Sequence, residues 1–189
     1  MTPERTIELS KLCNNFRIDV LKAIHAVQSG HPGGSLSVCE ILATLYLEKM
    51  NVDPSAPNLP TRDRLVLGKG HAAPMLYRIL AEKGFFSVQT MDSLRRIDSI
   101  LQGHPSVHTP GVDMPSGPLG IGLSAAQGIA LGNRMDGYNN YVYAVLGDGE
   151  INEGTVWEAA MSASKFGLDH LIAILDYNKV QLDGTSDQV

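Results

Sequence analysis

The stretch AVLGDGEINEGTVWEA, residues 144–159, decides the fold because an apolar run stops at Gly-Asp-Gly and a helical pattern begins almost at once. A second apolar run, LIAILDYN at 171–178, ends at Asn178, about thirty residues after Asp148. Two apolar strands joined by one helix form a β-α-β unit, which is parallel and almost always right-handed. Asp148 and Asn178 are therefore predicted to emerge on neighbouring strands at the carboxyl edge of one sheet, where open α/β sheets bind ligands.

Helical and strand patterns alternate along the rest of the chain. Hydrophobic periodicity, Gly and Pro punctuation and capping residues set the boundaries. The predicted helices are a long one from Pro3 toward Gly30, then 38–50, 72–84, a short surface helix at 87–97, 123–135 and 152–166. The predicted strands begin at Arg64, at 141–146 and at 171–176, whereas 29–37 and 51–63 are predicted loops. We expect a single α/β domain over 1–189, with a parallel sheet, helices on both faces and Trp157 in the core.

Composition narrows the class of protein. The net charge is −5 and no run of Lys and Arg exceeds two residues, which argues against a nucleic-acid surface. No apolar run approaches the roughly 20 residues of a membrane helix, and the N-terminus has no signal-peptide core, so a cytoplasmic protein is expected. Cys13 and Cys39 lie in helical patterns and are predicted to be small buried side chains.

Residues 102–122, QGHPSVHTPGVDMPSGPLGIG, form the least regular stretch. Five glycines and four prolines exclude both helix and strand there. A loop of this length is uncommon inside a compact domain and is usually functional or disordered. Apolar helical patterns follow it directly, which favours function. His104 and His108 have the i, i+4 spacing of a zinc pair, but the prolines around them forbid the helix that such a pair needs.

The chemistry offered at the predicted sheet edge suits a hard cation. A carboxylate, an amide oxygen and main-chain carbonyls are ligands for Mg²⁺ or Ca²⁺ rather than zinc. Gly149 allows close approach to the backbone, and the helix near Asn152 presents free N–H groups to an anion. A diphosphate paired with a divalent cation fits both features. Asp-Gly is also a common structural turn, but the second oxygen ligand at Asn178 favours a site.

At this point the sequence resembles the transketolase family of thiamine diphosphate enzymes. Six motifs occur in the family's order and with its spacing: SGHPGG (29–34), GKGHAAPMLY (68–77), QGHP (102–105), PGVDMPSGPLGIG (110–122), GDGEINEG (147–154) and NKVQLDG (178–184). The related enzyme that makes 1-deoxyxylulose 5-phosphate is similar around GDG but lacks this form of the 110–122 loop. The resemblance implies the diphosphate-binding fold of these enzymes.

The resemblance also implies a set of cofactor ligands. Asp148, Asn178 and the main-chain carbonyl of Val180 match the residues that bind Mg²⁺ or Ca²⁺ and, through the metal, the diphosphate of thiamine diphosphate. Gly149 and His71 match groups that contact the diphosphate itself.

Further residues match positions around the reacting carbon. Gly117 and Leu119 match the loop beside the thiamine rings, and His31 and His104 match histidines that contact donor hydroxyls and move protons. Glu153 matches an acidic residue at the family's subunit interface. The implied activity is transfer of a two-carbon ketol unit from a ketose phosphate to an aldose phosphate.

In this family the glutamate that activates the aminopyrimidine, and the arginines that bind the sugar phosphate, lie on a pyrimidine-binding domain that we do not find in residues 1–189. The diphosphate domain itself looks truncated at its C-terminus. We therefore expect the N-terminal subunit of a split enzyme, with the cofactor at the interface with a second polypeptide in a dimer of heterodimers. A ketol transferase for an unusual sugar, an enzyme like 1-deoxyxylulose 5-phosphate synthase, and a non-catalytic cofactor-binding scaffold remain alternatives.

Overall fold

The computed structural model describes residues 1–188, and the predicted α/β class is confirmed. The helices are α1 (Pro3–Val27), α2 (Pro32–Ser37), α3 (Cys39–Thr44), α4 (Ala73–Lys83), α5 (Gly122–Met135) and α6 (Gly154–Lys165). The strands are β1 (Arg64–Leu67), β2 (Val142–Gly147), β3 (Leu171–Asp176), β4 (Val180–Gln181) and β5 (Gly184–Thr185). Short 3-10 turns cover Gly70–Ala72, Val88–Ser93 and Glu150–Asn152, and a π-helical turn covers Leu45–Lys49.

Strands β1, β2 and β3 form one parallel sheet in that order. The β2–α6–β3 segment is the predicted β-α-β unit, and its register pairs Gly147 with Asp176. The last residues of the two strands thus lie side by side, and both chains leave the sheet at the same edge. Strands β4 and β5 form a small antiparallel hairpin just beyond β3.

Helices cover both faces of the sheet, as predicted. Alternate residues of a strand point to opposite faces, so each strand contributes to two cores. On one face, buried side chains of α1, α3 and α4 pack against Leu65, Leu67, Tyr143 and Val145. On the other face, buried side chains of α5 and α6 pack against Val66, Val142, Ala144 and Leu146. The central strand β2 is buried along its whole length.

Local signals explain the ends of the long helices. The Thr2 hydroxyl accepts a hydrogen bond from the backbone N–H of Arg5 at 3.3 Å, and Pro3 occupies the first helical position of α1. Helix α4 ends at Gly84, whose φ of 104° closes the helix in the left-handed region. Cys13 and Cys39 are buried free thiols, as expected. No helix within residues 1–188 has the length and apolar character needed to cross a membrane.

Four sequence predictions need correction. The predicted loop at 29–37 contains α2, because Pro32 can start a helix whose following residues pack against the core. The predicted helix at 38–50 changes to a π-helical turn at Leu45–Lys49, and the predicted surface helix at 87–97 is a 3-10 turn over Val88–Ser93. Trp157 is not in the core, since 58% of its surface is exposed on α6.

The 102–121 segment has no helix or strand, as predicted, yet it is tied firmly to β1. The Asp113 carboxylate accepts hydrogen bonds from the guanidinium groups of Arg62 and Arg64 and from the backbone N–H of Leu65 at 2.9 Å. Its side chain is only 3% exposed. The buried ion pairs therefore fix this irregular segment against the sheet.

Candidate active site

The carboxyl edge of the sheet brings Asp148 and Asn178 to adjacent positions, immediately beyond paired strand ends. Asp148 is 6% exposed. Its Oδ1 accepts a hydrogen bond from the Gly149 N–H at 3.1 Å, and its Oδ2 accepts one from the Ser186 hydroxyl at 2.6 Å. Among the ion pairs of residues 1–188, none involves Asp148. A buried carboxylate with no protein cation beside it is suited to binding a metal ion.

The β4–β5 hairpin lies over the Gly-Asp-Gly turn. A Cβ on Gly149 would lie 3.0 Å from Oε1 and 3.1 Å from Cβ of Gln181, so any side chain there would crowd the hairpin. Asn152 reaches the same glutamine, with Nδ2 donating to Oε1 at 3.4 Å. The hairpin and the turn thus enclose the Asp148 carboxylate from two sides.

Asn178 is held at both ends of its amide. Its Nδ2 donates to the Ser37 hydroxyl at 3.3 Å, and its Oδ1 accepts from the Val180 N–H at 2.9 Å. Val180 lies two residues further along and starts the hairpin. The described residues contain no cluster of three or more His, Cys, Asp or Glu side chains able to hold a metal. One carboxylate, one amide oxygen and one main-chain carbonyl would be oxygen donors of the kind that Mg²⁺ or Ca²⁺ prefers.

A buried ion pair lies directly behind these groups and was not identified from the sequence. The Lys69 ammonium donates to Oδ2 of Asp176 at 2.6 Å, and the two side chains are 1% and 7% exposed. The Ser37 hydroxyl donates to the same Asp176 oxygen at 2.6 Å. The sequence did contain a signal for this pair, namely a charged residue next to each of two apolar strands. Lys69 lies between two glycines just after β1, and Asp176 lies at the end of β3.

Glu150 is a second buried group that sequence reasoning missed. One carboxylate oxygen accepts from the Gly147 N–H and the other from the Gly120 N–H, both at 3.1 Å. Burial raises the pKa of Glu150, and the two backbone hydrogen bonds act in the opposite direction. A Cβ on Gly68 would lie 2.4 Å from this carboxylate, which explains why glycine is needed there. Glu150 therefore links the Gly-Asp-Gly turn to the 102–121 segment.

Two of the three predicted site histidines are in contact. The rings of His31 and His71 have centroids 5.2 Å apart and meet edge to face at 65°. Burial, together with the charge of Lys69, lowers the pKa of His71 to about 4. His71 is therefore a neutral imidazole at physiological pH, with one N–H donor and one acceptor nitrogen.

His104 lies on the 102–121 segment, and its charge contributes to the lowered pKa of His71. Its backbone carbonyl accepts a hydrogen bond from the Tyr77 hydroxyl at 2.9 Å, which anchors the histidine while the residue remains exposed. A Cβ on Gly117 would lie 3.8 Å from its ring, so these two predicted residues are neighbours. Partial burial, and then the charges of Arg95 and His31, lower the pKa of His104.

The remaining predicted residues lie at the rim. Leu119 is 40% exposed. Glu153 is exposed and packs beside Gly120, because a Cβ on Gly120 would lie 2.6 Å from the Glu153 Cβ. The functional roles predicted for these residues stay predictions, whereas their clustering at one edge of the sheet is a feature of the fold.

The depressed pKa of His71 gives a direct test of this geometry. In the native protein its imidazole should titrate with a midpoint of about 4, instead of the ordinary 6.5. The unfolded chain then binds the proton first as the pH falls. The stabilising contribution of this histidine is therefore full above pH 6.5 and lost between pH 6.5 and about 4. The midpoint is measured by NMR on the imidazole Cε1–H, with His71→Gln to assign the signal. A midpoint of 6.5 or higher contradicts the described environment.

This chain is similar to known proteins over nearly its whole length. Residues 9–189 match the family described as "Transketolase, thiamine diphosphate binding domain". A 6-deoxy-6-sulfo-D-fructose transketolase subunit from Clostridium sp. strain MSTE9 is 48% identical over 187 residues, covering 98% of this chain and 68% of that protein. An apulose-4-phosphate transketolase subunit from Phocaeicola vulgatus is 40% identical over 184 residues, covering 97% of this chain and 65% of that protein.

Full-length transketolases are similar to this chain over a smaller part of their length. Human transketolase is 44% identical over 180 residues, which are 95% of this chain and 28% of the human protein. The solved structure of transketolase from Leishmania mexicana superposes with a TM-score of 0.89 at 31% identity, again covering 95% of this chain and 28% of that one. The chain thus spans about two thirds of its subunit relatives and about a quarter of the full-length enzymes. By its sequence and its fold, the chain belongs to the transketolase family and carries that family's thiamine diphosphate-binding domain.

Proposed function

We propose that this chain forms the diphosphate-binding half of an enzyme that transfers a two-carbon ketol unit from a ketose phosphate to an aldose phosphate. The observation that carries the proposal is the position of Asp148 and Asn178, which follow paired ends of neighbouring parallel strands. His31 and His71 are in contact, and His104 is close enough for its charge to affect His71. Family membership supports the cofactor, since the matching family is defined by thiamine diphosphate binding.

In this proposal the metal and the diphosphate are held by this chain's own oxygen and N–H groups. Asp148, Asn178 and the Val180 carbonyl bind Mg²⁺ or Ca²⁺, which neutralises the diphosphate. The backbone at Gly149 approaches the diphosphate closely because no side chain intervenes. His71 donates one N–H to a diphosphate oxygen as a neutral imidazole, in keeping with its depressed pKa.

In this proposal His31, His104 and the Gly117–Leu119 segment would hold the reacting end of the cofactor. When bound, thiamine diphosphate supplies the carbon nucleophile that cleaves the donor ketose between C2 and C3. His104 has a lowered pKa and is neutral near pH 7, so its free nitrogen can accept a proton from a donor hydroxyl. His31, in contact with His71, orients the neighbouring hydroxyl. The exposed Leu119 packs against the thiamine rings.

We further propose that the active enzyme includes a second chain with a pyrimidine-binding domain. Two relatives are named as subunits, and this chain covers 68% and 65% of their lengths. The described residues provide groups for the diphosphate end of the cofactor, and the transketolase resemblance assigns the aminopyrimidine-activating glutamate to the other domain. The exposed Leu119 and Glu153 at the rim are where such a partner would meet this chain.

A second candidate concerns the donor sugar. The Clostridium relative is named for 6-deoxy-6-sulfo-D-fructose and the Phocaeicola relative for apulose 4-phosphate. An unusual ketose, sulfonated or branched, is therefore an alternative donor for the same two-carbon transfer. Turnover of a donor panel by the assembled enzyme separates the two candidates, because the better donor has the higher kcat/KM.

The first test of the proposed function is removal of the charged metal ligand. Asp148→Ala should weaken thiamine diphosphate binding by roughly 10-fold or more and abolish its dependence on Mg²⁺, because the metal loses its anionic ligand. Calorimetric titration of the complete native protein measures both quantities. Asp169→Ala is the matched control, since this exposed carboxylate precedes β3 at the opposite edge of the sheet. Wild-type affinity and metal dependence in Asp148→Ala would refute the site.

A second test separates cofactor binding from chemistry. His104→Ala should leave the cofactor Kd nearly unchanged while it raises the donor KM or lowers kcat, because the side chain contacts substrate. His71→Ala should first raise the cofactor Kd. Steady-state kinetics and calorimetry on both variants give the comparison. Exchanged outcomes would show that the two histidine roles are assigned the wrong way round.

A third test addresses the partner. Without a pyrimidine-domain chain, the native protein should transfer no two-carbon unit, and addition of that chain should restore activity with saturation near equal stoichiometry. Glu153→Ala should raise the partner concentration needed for half-saturation, whereas Glu158→Ala, which changes an exposed glutamate inside the helix that Glu153 precedes, should not. Transketolase activity in a partner-free preparation contradicts the two-chain proposal.

A further inference from the structure

The Ser37 hydroxyl lies at the centre of a partly buried polar network behind Asn178. Its Oγ is 2.6 Å from Oδ2 of Asp176, 3.3 Å from the Lys69 ammonium and 3.3 Å from Nδ2 of Asn178. The Gly34 carbonyl is also 3.3 Å away. The network therefore joins Ser37, at the end of α2, to Lys69, just beyond β1, and to Asp176 and Asn178, at and beyond the end of β3.

The donors and acceptors of this network can be paired in only one consistent way. Lys69 and the Nδ2 group of Asn178 are donors only, so Ser37 must accept from both with its two lone pairs. Its single hydrogen then goes to the Asp176 carboxylate, which is both closer than the Gly34 carbonyl and charged. Asp176 also accepts from Lys69 at 2.6 Å, which holds the carboxylate in place. The Ser37 hydroxyl thus uses its one hydrogen and both of its lone pairs.

This pairing of donors and acceptors allows only one orientation of the Asn178 amide. With Nδ2 directed at Ser37, Oδ1 points to the opposite side, where it accepts from the Val180 N–H at 2.9 Å. A flip of the amide by 180° would place Oδ1 against a Ser37 lone pair and Nδ2 against the Val180 N–H. Both contacts would then be repulsive, and two hydrogen bonds would be lost.

We propose that Ser37 is a positioning residue for the divalent cation, which it never touches. With the Lys69–Asp176 pair it holds the Asn178 amide so that Oδ1 is presented to the metal, and this inference rests on the metal site of the proposed function. Mg²⁺ requires near-ideal octahedral geometry at about 2.0–2.1 Å, whereas Ca²⁺ accepts variable geometry at longer distances. Loss of the Ser37 hydroxyl should therefore impair Mg²⁺ more than Ca²⁺.

The experiment compares the two metals within each variant. In the complete native protein, the Kd of thiamine diphosphate is measured by calorimetry, once with saturating Mg²⁺ and once with saturating Ca²⁺. Ser37→Ala should raise the Kd in Mg²⁺ about 10-fold and the Kd in Ca²⁺ much less, as expected when the support of a metal ligand is removed. Ser35→Ala is the matched control: the residue lies in the same helix, is fully buried and has a hydroxyl with no hydrogen-bond partner in the described residues. Its ratio of the two Kd values should equal that of the wild type.

Each outcome decides the matter. An equal rise of both Kd values in Ser37→Ala overturns the positioning role, because removal of a support for a metal ligand should affect Mg²⁺ more than Ca²⁺. An equal change of the ratio in Ser35→Ala overturns it too, because the effect then does not depend on the hydrogen bonds of Ser37. Metal-independent binding in the wild type overturns the proposed site itself. If Ser37→Ala does not fold, Ser37→Cys tests the same ratio with a side chain of similar shape that accepts hydrogen bonds only weakly. A wild-type ratio in Ser37→Cys overturns the proposal.

Discussion

The buried ion pair between Lys69 and Asp176 is the interaction on which the carboxyl edge of this domain depends. It joins Lys69, two residues beyond β1, to Asp176, the last residue of β3, and both side chains are almost fully removed from solvent. Burial of a charge is costly, and removal of one partner from such a pair typically destabilises a protein by about 3–5 kcal/mol. The pair therefore restricts the relative position of two strand ends far more strictly than apolar packing alone would.

Three buried carboxylates hold segments around the site, two of them in ion pairs and one, Glu150, by backbone hydrogen bonds alone. Asp113 fixes the irregular 102–121 segment to β1, Glu150 fixes the Gly-Asp-Gly turn to that segment, and Asp176 fixes α2 to the sheet. An irregular segment lacks the regular backbone hydrogen bonds of a strand or helix. Its backbone N–H groups, and those next to it, therefore need other acceptors, which the buried carboxylates supply. The 102–121 segment, which carries His104, is thus held through the buried carboxylates of Asp113 and Glu150.

The parts of this site that follow from local pattern were predictable from sequence. The β2–α6–β3 unit and the places of Asp148 and Asn178 depend only on periodicity and on the handedness of a crossover. Lys69, Asp176 and Ser37 were missed because their partners are 32, 107 or 139 residues apart in the chain. Trp157 was wrongly placed in the core, since the helical pattern of 154–165 does not specify which of its faces the sheet covers.

The exposed indole of Trp157 has a practical consequence. Its Nε1–H donates to the carbonyl of Ile151 at 2.8 Å, within the turn that follows Gly149, and it is the only tryptophan of the chain. Indole fluorescence depends on hydrogen bonding and on contact with water, so the tryptophan emission of this protein comes from a single side chain attached to the mouth of the candidate site. The chain thus contains its own optical reporter of events at that edge, without any label.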